Sequence, residues 1–103
     1  MPSDPVSDLG NKTGTFAIPL VGNVYTFAAT DNVTLTFPTP VSGVMNSFII
    51  EFTIAAGKTI TFPGTVEWNY GTTPTISSSN TNRCAFDTID YGTSWRGYYS
   101  RFA

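Results

Sequence analysis

Ser47-Phe48-Ile49-Ile50-Glu51-Phe52-Thr53-Ile54 is the stretch on which the fold of this 103-residue chain turns. Phe48, Ile50, Phe52 and Ile54 recur at every second residue, and Glu51 and Thr53 take places between them. Successive side chains of a strand point to opposite faces, so this period predicts a half-buried central strand with a polar outer face. Ile49 is the apolar exception on that outer face. Downstream, Ala55-Ala56-Gly57-Lys58 reads as a hairpin connection into Thr59-Ile60-Thr61-Phe62, whose Ile60 and Phe62 continue the same core. Upstream, Asn32-Val33-Thr34-Leu35-Thr36-Phe37 alternates in the same way, until Pro38 and Pro40 stop it.

Further out the texture repeats. Thr15-Phe16-Ala17-Ile18 and Asn23-Val24-Tyr25-Thr26-Phe27 are short β-like runs separated by Pro19 and Gly22. Pro63-Gly64 turns the chain into Val66-Glu67-Trp68. Thr81 to Tyr91 and Ser94 to Phe102 form a terminal hairpin around Gly92-Thr93. No stretch carries a helix-length 3.6-residue pattern. About eight short strands spaced by turn signals predict an all-β sandwich or barrel-like fold, of which an antiparallel β-sandwich of jelly-roll-like or similar form is the expectation. Residues 1–13 hold two prolines and no periodicity and read as a flexible arm or linker, leaving 14–103 as a single domain.

Composition narrows the function. Hydrophobic residues make up 41% and aromatic residues 15%, too apolar for a disordered chain. Charged residues are only 12%, about half the usual ~25%. Thr, Ser, Asn and Gly take their place, which suits exposed β-faces and equally suits packing against copies of itself. A net charge of −2 with five basic residues offers no footprint for phosphates, so nucleic acid is not an expected partner. No apolar run reaches the roughly 18–20 residues of a membrane helix, and the amino terminus lacks the pattern of a signal peptide. Synthesis in a cytoplasm without membrane insertion is the expectation. Histidine is absent, which removes the Ser-His-Asp and Cys-His constellations and the commonest zinc ligand. Cys84 has no second cysteine to pair with and reads as a small buried apolar residue.

Three ordered segments carry a resemblance. They are Thr34-Leu35-Thr36-Phe37-Pro38, then Thr61-Phe62-Pro63-Gly64-Thr65-Val66-Glu67-Trp68 running on to Gly71-Thr72-Thr73-Pro74, then Gly92-Thr93-Ser94-Trp95-Arg96-Gly97. Together they span about residues 30–98 and resemble the carboxy-terminal modules of tailed-bacteriophage tail-fibre and other virion-associated proteins. The resemblance implies a β-sandwich on a fibre, spike or baseplate-like structure, often a homotrimer, joined to other virion proteins. It implies no catalytic residue and no cofactor, because the shared positions are turn formers and core aromatics.

Candidate sites follow from the carboxy-terminal aromatics. Tyr70, Tyr91, Tyr98 and Tyr99, with Trp95 and Arg96, offer flat rings and polar tips of the kind that suits a host-surface polysaccharide. Tyr98 and Tyr99 alternate, so one is expected inside and the other outside. Each ring also has a plainer reading as core or interface filler, and that reading is the stronger, most of all for Trp95 and Trp68. Glycoside hydrolysis would need two acids about 5–9.5 Å apart. Asp87 and Asp90 fall on opposite faces of a regular strand, and Glu51 and Glu67 sit on polar faces, so no catalytic pair is expected. No run of oxygen ligands suggests calcium or another metal. The expectation is a virion structural and adhesion module. The alternative is a monomeric carbohydrate-binding module appended to a cell-wall or polysaccharide-active enzyme.

Overall fold

Strand β3 (Asn46–Ile54) occupies the middle of one mixed sheet, flanked by β2 (Val24–Thr36) on one side and β6 (Thr81–Thr88) on the other. The computed structural model describes residues 6–19, 24–37, 46–88 and 93–102. Among them, β1 (Val6–Ala17), β4 (Ile60–Thr61), β5 (Val66–Trp68) and β7 (Trp95–Phe102) complete a seven-stranded sheet of order β1-β2-β3-β6-β7-β5, with β4 beside β2. A single 3-10 turn, Asn69–Gly71, follows β5. The all-β expectation holds for the described residues.

The pairing is not purely antiparallel. β1 with β2, β2 with β3, β2 with β4 and β5 with β7 run parallel; β3 with β6 and β6 with β7 run antiparallel. The hairpin expected around Ala55–Lys58 is replaced by a corner. After that corner β4 lies beside Val33 and Thr34 of β2 and not beside β3. The first arm of β2, Val24 to Ala29, has already been taken by β3. The chain therefore turns to follow β2 around its own bend.

That bend is sharp. Thirteen extended residues at ~3.3 Å each would span about 40 Å. Yet the rings of Tyr25 near the start of β2 and Phe37 just past its end both meet Phe48, at 6.1 and 5.1 Å. β2 is thus a V, and both of its arms lead to Phe48. The corners stack. Thr59 N–H donates to Asn32 Oδ1 at 3.0 Å, Val33 N–H to the Thr59 carbonyl at 2.9 Å, and Ala55 N–H to the Ala29 carbonyl at 2.9 Å. Lys58 pairs with Asp31 at 3.3 Å. The Asn32 N–H first, and Lys58 second, hold the Asp31 carboxyl below its usual range. Gly57 supplies the positive φ of 76° that the corner requires.

Residues 6–13, expected as part of an arm, are instead the first eight residues of β1. The segment shows no periodicity because β1 is irregular, with register shifts after Asp8 and after Lys12. Its place in the sheet comes from the backbone ladder to β2, a signal that side-chain alternation does not carry.

Both arms contribute to one aromatic core. Phe37 meets Phe86 at 4.9 Å and Trp95 at 5.3 Å, Phe27 stacks on Phe52 at 5.1 Å, and Phe62 meets Trp68 at 4.9 Å. Such pairs are each worth about 0.5–1.5 kcal/mol beyond the area they bury. Gly97 makes room for Trp68. A Cβ at that position would stand 2.8 Å from the indole Cε3 and from Val66 Cγ1.

Candidate binding face

The alternation that buries Phe48, Ile50 and Phe52 turns the residues between them outward. Register then fixes which of these outward residues are neighbours. Val6 lies opposite Val24, Val24 opposite Ile49, Ile49 opposite Ala85, and Ala85 opposite Tyr98. This is a continuous apolar row across five strands of the outer face. Its two ends are the most open, Val6 at 63% and Tyr98 at 47% exposure.

Polar rows flank it on both sides. One runs Asp8, Thr26, Glu51, Arg83, Ser100, and the other Ser47, Asp87, Arg96, Glu67. Arg96 Nη1 bonds Glu67 Oε1 at 2.7 Å, with both side chains largely in solvent, so the pair orients the two groups more than it stabilises the fold. A groove of about 280 Å³ follows the row, lined by Val24, Ser47, Ile49, Ala85, Asp87 and Tyr98. It combines one exposed phenol ring, one carboxylate and one hydroxyl. Two further hollows of about 310 and 500 Å³ flank the half-buried Trp68 on the side of β5 and share Val66 and Thr73; Arg96 reaches the larger.

The candidate aromatics are distributed unequally. Tyr98 and Arg96 share the outer face in adjacent rows. Tyr99 points inward, half-buried, and its hydroxyl donates to Asn82 Oδ1. The expected alternation of the two tyrosines is what the structure has. Trp95 is buried at 2% exposure, its ring against Phe37 and Phe48, which leaves no face for a sugar. Its inward phase is set by β7, where Trp95, Gly97 and Tyr99 share the core side. Tyr70 lies in the 3-10 turn, its side chain outside the described residues, and Tyr91 lies outside them altogether. Asp90, weighed as a partner for Asp87, also falls outside.

Sequence reading missed Val24, Ser47, Ala85 and Asp87 as one surface. Ile49, apolar on an otherwise polar face, was the available signal. Cys84 is fully buried, and burial pushes its thiol up to about 12, which keeps it protonated and inert at neutral pH. Asn82 is buried too, yet it forms a hub. Its Nδ2 donates to the Ser77 carbonyl at 2.8 Å and its Oδ1 accepts from Ser77 N–H at 3.0 Å. Among the described residues no three His, Cys, Asp or Glu side chains converge as a metal-binding group would. Comparison with protein families, curated proteins and solved structures returns no match for this chain.

Proposed function

We propose that this chain is a non-catalytic contact module of the virion tail-fibre kind, which assembles with copies of itself and touches a host-surface glycan. The observation that carries the proposal is the apolar row ending in the exposed ring of Tyr98, bordered by Asp87 and Ser47. An open phenol face offers stacking area, and a carboxylate and a hydroxyl beside it offer directional hydrogen bonds to sugar hydroxyls. The low charge content and the ordered tail-fibre-like segments support the same reading. On this view the folded sheet serves as a β-sandwich, its two layers joined through the bend of β2. The resemblance brings with it a homotrimer, other virion proteins as neighbours and the virion as the place of action.

The test is retention of labelled protein on bacterial cells and purified surface polysaccharides, comparing the unaltered chain with Tyr98→Ser. Tyr98 is solvent-exposed, so the fold tolerates its loss. A drop of about tenfold or more in apparent affinity is expected, which corresponds to about 1.4 kcal/mol. Failure of the unaltered protein to bind any cell or glycan, or equal binding by Tyr98→Ser, would remove the adhesive role.

A further inference from the structure

Strand β1 lies at the end of the sheet and, among the described residues, pairs with β2 alone. Its open side can be assigned residue by residue. Ile18 N–H donates to the Thr36 carbonyl at 3.0 Å, next to the register pair Ala17–Thr36. In a parallel ladder the residues either side of such a pair aim their backbone groups at the neighbouring strand, and the paired residue aims its own the other way. Ala17, and Thr15 two residues earlier, therefore turn N–H and C=O to the open side. On the other arm, Ala55 N–H donates to Ala29, which directs Ala29, Phe27 and Tyr25 of β2 toward β3. Thr26 and Val24 then serve β1, and their register partners Asp8 and Val6 face outward.

The core is open at the same end. Leu9 on the first arm of β1 and Phe16 on the second pack against the core, but both remain only half-buried. β1 follows the V of β2, and a V has a particular symmetry. A two-fold axis along its bisector lays one V on another, corner over corner, with the first arm of each strand antiparallel to the second arm of the other. Both arms present outward backbone groups on one side and a half-buried apolar residue on the other, so the edge is complementary to itself under that rotation. No proline lies within β1, and its arms on either side of the register shifts leave backbone groups open to strand addition.

We infer that β1 is the self-association edge of this protein, and that a second copy pairs its own β1 there about a two-fold axis, covering Leu9 and Phe16. The inference rests on the self-assembly proposed above and specifies pairs in place of the trimer. Each pair uses the β1 edge of both copies, which leaves no β1 edge for a third copy.

Sedimentation equilibrium of the full chain and of Ala17→Pro tests it. Proline at 17 removes an N–H that faces away from β2, so the internal ladder is kept. The unaltered chain should sediment as a dimer, and Ala17→Pro should weaken dimerisation by about tenfold or more. Thr15→Lys, which sets a charge on the open edge, should do the same and serves if the proline variant does not fold. A dimer or trimer that both variants leave intact overturns edge pairing while self-assembly stands. A chain that stays monomeric at high concentration overturns both.

Discussion

The amino-terminal and carboxy-terminal halves of the sheet are held in different ways. In the first, β1, β2 and the β3–β4 segment lie parallel, and their specific contacts gather at the stacked corners: Asn32 on Thr59, Lys58 on Asp31, and Gly57 in a positive-φ turn. In the second, β6 and β7 form an antiparallel pair on the aromatic core, tied by the buried Asn82 hub and by Thr88 Oγ1 donating to the Ser94 carbonyl at 2.8 Å. The corner contacts are exposed and individually weak, whereas the carboxy-terminal contacts are buried, where an unmade hydrogen bond costs more than a made one contributes. The buried hydrogen bonds of the carboxy-terminal half thus weigh more in stability than the exposed corner contacts, which set the path of the chain.

Substitutions should separate the shared core, the carboxy-terminal hub and the amino-terminal corners in that order. Phe48→Ala removes the ring on which both ends of β2 and the β6–β7 side converge, and should cost about 3–5 kcal/mol in urea unfolding. Asn82→Ala strands the Ser77 N–H and the Tyr99 hydroxyl and should cost about 2–3 kcal/mol, with Ser77–Asn80 becoming the first protease-sensitive stretch. Alkali probes the same half through Cys84. Its folded-state thiol is raised from 9.0 to about 12, so the stability it contributes is complete below pH 9 and is lost as pH rises toward 12. The slope is about 1.4 kcal/mol per pH unit, and Cys84→Ala should flatten that part of a stability–pH profile. Asn32→Ala acts on the corners and should cost only about 1 kcal/mol, while Asn32→Asp, which keeps an acceptor, should cost less. An Asn32→Ala loss as large as that of Asn82→Ala would erase the contrast between the halves.

The strands of the core were legible because burial writes itself as alternation. Phe48 through Ile54, Val33 through Phe37 and the β6–β7 hairpin are of this kind. Alternation tells which face a residue occupies but not which strand lies beside it, so parallel pairing and the turn of β4 toward β2 were invisible. β1 was missed for a related reason: an irregular edge strand with Asp8, Gly10, Asn11 and Gly14 has no alternation to display. On the candidate face, Tyr98 and Arg96 could be named from residue type alone. Their neighbours Val24, Ala85, Ser47 and Asp87 could not be joined to them as one surface, since that takes the register of β2, β3, β6 and β7 together.

The bend of β2 has a consequence for a chain still being made. Tyr25 and Phe27 find their cover only when β3 arrives, and β3 is flanked on its other side only when β6 follows, some fifty residues after β2 has left the ribosome. Through that interval the nascent chain holds an apolar strand with nothing over it, which is the condition under which chains stick to one another. Refolding yield should fall with protein concentration even where the finished domain stays in solution, and slow elongation across residues 37–80 would lengthen the exposure.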